Sequence, residues 1–166
     1  MNENAFDGGN VTMKLSELLS SSLIKMEMTS TDKRGVFEEL VEMLESEGLI
    51  KDREEALARI EEREVKMSTG ISHWLAMPHG KLKGLPQLAI AAMGISKRGI
   101  DYGALDYEPV HIVVLVFSED GHPMEHIETL SDILRIFSSD RFIRMVCDAQ
   151  SADEVLQLIK NEESSL

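Results

Sequence analysis

Apolar residues recur at helical spacing early in the chain. Val36, Phe37, Leu40, Val41 and Leu44 fall on one stripe, and Gly48 follows as a natural stop. Asp52 with Glu55 three residues on predicts a capped helix start. Ala56, Leu57 and Ile60 then form a narrow stripe on a charged helix that ends near Arg63. The pattern changes after residue 70. Residues 88–96 (LAIAAMGIS) and 109–119 (PVHIVVLVFSE) are apolar runs of strand length. The second is nearly continuous, as in a strand buried on both faces. Residues 74–78 (WLAMP) are a shorter strand candidate, and KLSELLSSSLI reads as a helical turn entering a strand around residues 23–28. Helical spacing returns at HPMEHIETLSDILRIFSS, with Ile127, Leu130, Ile133, Leu134 and Phe137 assigned to one face. Asp140 and Ser151 are expected to cap two closing helices, Ser151 with Glu154 in capping-box position. Residues 1–12 are polar and rich in Gly and Asn, which predicts a disordered lead-in to one domain over 13–162. The order of elements is that of a single α/β domain whose central sheet is covered by helices.

Composition narrows the function classes. The 166 residues suffice for one domain with a substantial core. A net charge of −13 repels phosphate backbones and anionic lipid, which argues against nucleic acid and membrane-surface binding and favours a partner with a basic face. No run approaches the ~20 apolar residues of a membrane span, and the N-terminus lacks the pattern of a signal peptide. Cys147 is the single cysteine, so no internal disulfide can form and a reducing cytoplasm is expected.

The chemistry-bearing candidates are histidines. His79 stands between Pro78 and Gly80, on a strand-to-loop edge where its neutral ring would be a usable nucleophile; a turn histidine without a role fits the tripeptide as well. His126 follows Pro123, so it falls in the first turn of a helix and shares the face of Leu130, Ile133 and Phe137. There it is either a site residue near an anion-favouring helix end or a satisfied core histidine. His122, Glu125 and His126 also spell H-x-x-E-H, a zinc-protease motif, but Pro123 places His122 outside the helix, and no further ligand is evident. His111 reads as structural, and His73 as either a neighbour of the site or a bystander. Arg63 suits the end of its helix and could equally reach a phosphate. Ser68, Thr69 and Gly70 offer hydroxyls and a flexible backbone to an anion.

Together these residues resemble a known signature. R-E-V-K-M-S-T-G-I followed by A-M-P-H-G is similar to R-E-x-x-x-S-T-G-I-G-N-G-I-A-I-P-H of the IIA components of the bacterial phosphoenolpyruvate-dependent sugar phosphotransferase system. The subfamily is the fructose/mannitol type, which includes nitrogen-regulatory IIA proteins. Arg63, Glu64, Ser68, Thr69, Gly70, Ile71, Ala76, Pro78 and His79 match in register. KLSELLSSSLI, PVHIVVLVFSE, EHIETLSDILRIFSS and SADEVLQLI resemble further blocks, so the likeness covers about residues 13–160. It implies an α/β domain with a mixed, mostly parallel five-stranded sheet flanked by helices. It also implies a phosphoryl carrier without metal or cofactor, which takes phosphate from HPr on His79 and passes it to a IIB cysteine. His126 and Arg63 would stabilise the phosphoryl group, with Ser68, Thr69, Gly70 and His73 as neighbours.

Two alternatives remain at this level. One is a regulatory protein whose histidine phosphorylation controls binding to a kinase, channel or other target; the other is a zinc hydrolase. Cys147, in FIRMVCDAQ, reads as a helical core residue and not as a IIB nucleophile. The sequence departs from the signature at Ser72-His73-Trp74, where Gly-Asn-Gly is usual. Any positive φ there would be costly, so the loop is expected to take another path or tolerate strain.

Overall fold

The structure, a computed structural model, describes residues 13–166. The lead-in expected over 1–12 lies outside the described residues. Helix α1 (Leu15–Leu18) and a 3-10 turn (Ser21–Leu23) lead into strand β1 (Ile24–Lys25). Two long helices follow, α2 (Lys33–Ser46) and α3 (Arg53–Lys66). Asp32 and Asp52 cap them by accepting from the N–H groups of Gly35 and Glu55. The strands are β2 (Gly70–Ser72), β3 (Leu75–Ala76), β4 (His79–Leu82), β5 (Ala89–Ile100) and β6 (Val110–Glu119). Helices α4 (Pro123–Ile136), α5 (Asp140–Asp148) and α6 (Ala152–Ser165) close the chain.

The sheet order is β1-β5-β6-β3-β2, with β4 also beside β6. Strands β3 and β4 run parallel to β6 in one uninterrupted register, Leu75 opposite Ile112 and His79 opposite Val116. They are one strand broken at Met77-Pro78. Proline has no N–H to give the ladder, although its carbonyl still accepts from the Val116 N–H at 3.0 Å. Six strands therefore occupy five positions. Parallel pairings outnumber antiparallel ones three to two.

From Ile112 to Ser118 every residue of β6 is buried, so both faces of the sheet are covered. Helices α2 and α3 pack together against β5 and β4, while α1, α4, α5 and α6 form a second group on β5 and β6. This order places the end of α3, the start of β4 and the start of α4 around the carboxyl end of β6, where the site is built.

Several boundaries or faces differ from those expected. Strand β5 runs on to Ile100, beyond the run 88–96, and the chain after Pro78 continues as β4 where a strand-to-loop edge is expected. Helix α3 continues past Arg63 to Lys66. Ser139, not Asp140, caps α5, its hydroxyl accepting from the Phe142 N–H. On α4 the buried face is Thr129, Ile133 and Ile136, continued by Phe137, whereas Ile127 is 57% and Leu134 39% exposed. The apolar positions of α4 are more numerous than its buried face, so spacing alone could not choose the phase.

Candidate functional site

His79 opens β4 directly after Pro78, and its ring is half-buried. Nδ1 lies 2.8 Å from the Met77 carbonyl. A carbonyl can only accept, so Nδ1 carries the proton and Nε2 holds the lone pair. The Arg63 Nε–H donates to that Nε2 at 3.2 Å. Arg63 sits in the last turn of α3 and is anchored by donation from Nη1 to the Met67 carbonyl at 2.9 Å. Among the described residues it has no carboxylate partner.

His126 approaches from the other side, in the first turn of α4, with Pro123 at the first helical position and His122 as the N-cap. The two imidazole centroids are 5.5 Å apart. His126 Nδ1 is 2.7 Å from the hydroxyl of Ser118, a buried residue near the end of β6. His122 instead faces Glu125 at 3.8 Å, so the histidines of the H-x-x-E-H string serve different surroundings.

Both rings resist protonation. Burial pushes His79 below 6.5 and the Arg63 charge adds to this, against the pull of the Met77 hydrogen bond and Glu64. Burial, with His79 and Lys81 nearby, brings His126 down to about 4. Both are therefore neutral at pH 7. In the unfolded chain each ring takes a proton near 6.5, so below that value the unfolded state binds more protons than the folded one. Their contribution to stability is complete above about pH 6.5 and is lost as pH falls toward 4. Urea midpoints measured from pH 7.5 down to 5 are expected to fall, and to fall less in a His126→Asn variant. An equal slope in that variant would show that His126 is not the titrating group.

The rings line a cavity of about 700 Å³. Arg59, Arg63, Lys66, Lys81 and Lys83 reach it, against Glu55, Glu62 and Asp120. Arg59 is paired with Glu62 at 3.0 Å, but Lys66, Lys81 and Lys83 form no ion pair among the described residues. The net charge of −13 thus does not describe this surface. A nitrogen lone pair faces a cationic cavity, which is an arrangement for receiving an anionic electrophile.

The other residues picked from the sequence lie elsewhere. Thr69 is buried, and its N–H and hydroxyl donate to Glu64 at 3.0 and 2.5 Å, while Tyr102 shares that hydroxyl at 2.7 Å. Lys33 pairs with the same carboxylate at 2.9 Å and lies over the Tyr102 ring. Burial and the Glu64 charge push the Tyr102 phenol well above its usual range. Ser68 accepts from the Gly70 N–H at 3.2 Å. These residues hold the turn after α3 and do not line the cavity. Gly70 has a packing reason: a Cβ there would lie 2.9 Å from the Ala104 backbone and 2.8 Å from Tyr102. Gly70→Ala is expected to cost about 1–3 kcal/mol, read as a lower urea midpoint at unchanged slope.

His73 pairs with exposed Asp140 at 2.7 Å beside a separate cavity with Trp74, Ile143 and Arg144. It adds no third imidazole to His79. His73 and Trp74 both have positive φ, 53° and 66°, so the loop tolerates the strain. It is held there because the Trp74 ring packs at a tilt against His111, centroids 4.7 Å apart, and the Trp74 carbonyl accepts from the His111 and Ile112 N–H groups. Ser118 and Lys81 went unrecognised in the sequence. Lys81 alone had a signal, two residues beyond His79 and so on the same strand face.

Comparison with known proteins follows the same outline. The family model described as "Phosphoenolpyruvate-dependent sugar phosphotransferase system, EIIA 2" matches residues 17–162. The fructose-specific EIIABC component of Bacillus subtilis is 33% identical over 151 residues, which are 91% of this chain and 24% of that one. A nitrogen regulatory protein homolog of Haemophilus influenzae is 26% identical, with 92% and 94% covered. The crystal structure of the nitrogen regulatory protein IIA-Ntr from Neisseria meningitidis superposes with a TM-score of 0.80 at 27% identity, covering 87% of this chain and 97% of that one. The chain thus spans about a quarter of the Bacillus relative and nearly all of the other two.

Proposed function

The chain belongs to the EIIA 2 family of the phosphoenolpyruvate-dependent sugar phosphotransferase system, and we propose that His79 is its phosphoryl-carrying residue, loaded by the phosphocarrier HPr and unloaded onto a IIB cysteine. One observation carries this reading. His79 offers a lone pair on Nε2 alone, and Arg63 donates to that same nitrogen from 3.2 Å.

In the transfer the Nε2 lone pair forms a bond to phosphorus. The donor's N–P bond breaks, and its electrons return to the donor nitrogen. The His79 ring becomes a phosphoimidazolium, whose positive charge is eased by the Met77 carbonyl on Nδ1–H. On unloading, a thiolate attacks phosphorus, and the N–P electrons restore the neutral ring. No proton leaves the ring in either direction. Catalysis is left to alignment and to donors at the equatorial oxygens, which Arg63 and His126 supply. A protein donor is supported by exposed apolar residues on or beside both bordering helices, Val65 in the last turn of α3 with Met67 at its end, and Met124 and Ile127 on α4. Among the described residues no helix is long and apolar enough to cross a membrane, which is consistent with a cytoplasmic carrier.

A second reading uses the same chemistry as a switch, with phosphorylated and free His79 binding a regulatory target differently. Its support is the likeness to the Neisseria regulatory protein along 97% of that chain. The test is to incubate the protein with phosphoenolpyruvate, enzyme I and HPr, map the phosphate, and chase it with fructose- and mannitol-type IIB proteins. Acid-labile phosphate on His79 that moves to a IIB cysteine supports the transport carrier. Phosphate that loads but moves to no IIB favours the switch. Failure to load from any HPr refutes both.

A further inference from the structure

The two imidazoles of the site are anchored in opposite ways. His79 is held through Nδ1 by a carbonyl, which forces the proton onto Nδ1 and bares Nε2. His126 is held through Nδ1 by a hydroxyl, which can donate or accept. The surroundings decide between the two. Ser118 is 1% exposed, and its hydroxyl has no hydrogen-bond partner other than His126 Nδ1 among the described residues. If Nδ1 carried the proton, the serine proton would be buried without an acceptor. If the serine donates, every proton in the pair is used. Nδ1 is then the acceptor, and the His126 proton sits on Nε2, which has no protein partner among the described residues, in a ring that lines the cavity with His79.

We infer that Ser118 is a positioning residue: its hydroxyl donates to Nδ1 of His126 and fixes the tautomer that presents Nε2–H to the phosphoryl group on His79. The purpose of this tautomer rests on the phosphoryl-carrier reading; the tautomer itself does not. A neutral imidazole has one N–H, and in the wrong tautomer it would turn a lone pair toward the phosphoryl oxygens and repel them. Two neutral histidines thereby take complementary parts, a bare nitrogen for phosphorus and an N–H for its oxygens. No charged group has to be buried for this, since burial itself keeps His126 neutral at working pH. The serine reaches the ring because β6 ends beneath the first turn of α4.

The test reads the tautomer directly. In ¹⁵N-labelled wild-type protein at pH 7, long-range ¹H–¹⁵N correlations are expected to show His126 protonated at Nε2 and bare at Nδ1. In Ser118→Ala both tautomers should appear, and loading of His79 from phosphorylated HPr should slow by about tenfold or more, as when other residues that orient a functional histidine are removed. Ser118→Thr keeps the hydroxyl and should restore both readouts. His126→Gln carries an amide N–H that needs no tautomer, so adding Ser118→Ala to it should change nothing further. The inference is overturned if wild-type His126 is protonated at Nδ1, if Ser118→Ala leaves the tautomer unchanged, or if Ser118→Ala slows loading equally in the His126→Gln background. A protein that never loads His79 would remove the carrier reading, and with it the purpose of the tautomer, while the spectra still decide whether Ser118 sets it.

Discussion

Alanine in place of His79 is expected to abolish acid-labile phosphate on the protein. Deleting a covalent nucleophile removes the step itself, and comparable deletions cost roughly 10⁶-fold. The neighbouring imidazole offers no substitute. His126 Nδ1 is tied to Ser118, and its ring, 5.5 Å from that of His79, receives no hydrogen bond from Arg63, whose Nε–H is given to His79. Cys147 is no substitute either: burial, with Asp148 beside it, pushes its thiol up to about 11, so the thiolate is scarce at neutral pH. The fold should persist in the variant. The His79 ring is only half-buried at the cavity wall, and the β4–β6 ladder uses backbone groups that alanine retains. The measurement is stoichiometric labelling from phosphoenolpyruvate through HPr, with circular dichroism and a urea midpoint to confirm folding. A folded His79→Ala protein that takes a full equivalent of label would place the phosphate elsewhere and end the assignment.

The parts legible in the sequence were those set by local patterns. The continuous apolar run that became β6, the Asp52 and Ser151 caps and the helix entry at His122-Pro123 all depend on neighbours a few residues away. Pro-His-Gly, which reads as a strand-to-loop turn, instead opens strand β4, because β6 offers His79 and Gly80 a partner. What local patterns could not give was direction. Ser68, Thr69 and Gly70 stand closer in sequence to His79 than Arg63 does, yet Thr69 turns inward to Glu64 while Arg63 turns to the histidine. That choice is made by Lys33 and Tyr102, far along the chain in both directions. His73 was drawn to the site by proximity and lost to Asp140, which only the packing of α5 brings near. Ser118 was invisible for the same reason. A serine closing an apolar strand reads as the strand's edge, and its partner belongs to a helix that folds back over it. The Ser72-His73-Trp74 loop is a local conflict that tertiary contact overrides, through the packing of Trp74 against His111.

Replacing Arg63 by glutamine is expected to slow phosphoryl transfer by about 10²–10³-fold, the usual cost of one preorganised donor to developing negative charge. Its guanidinium already meets the nitrogen that phosphorus must reach. When the lone pair is spent on that bond, the Nε–H loses its acceptor and faces the phosphoryl oxygens instead. Lysine should recover only part of the rate, because a point charge cannot keep one donor on the Met67 carbonyl and another on the phosphoryl group. The same substitution should leave a second mark. The Arg63 charge helps hold His79 below 6.5, opposed by Glu64, so losing it should raise the His79 midpoint. Loading requires the neutral ring. Its rate should hold as pH falls through 6.5 in the wild type and begin to fall at a higher pH in Arg63→Gln. Histidine resonances followed from pH 8 to 5, alongside stopped-flow loading, would show both effects. A rate defect without a shifted midpoint would mean that Arg63 meets the phosphoryl group only after transfer begins. Wild-type rates together with an unshifted midpoint would show that the contact in the free protein is incidental and that another cavity cation carries the charge.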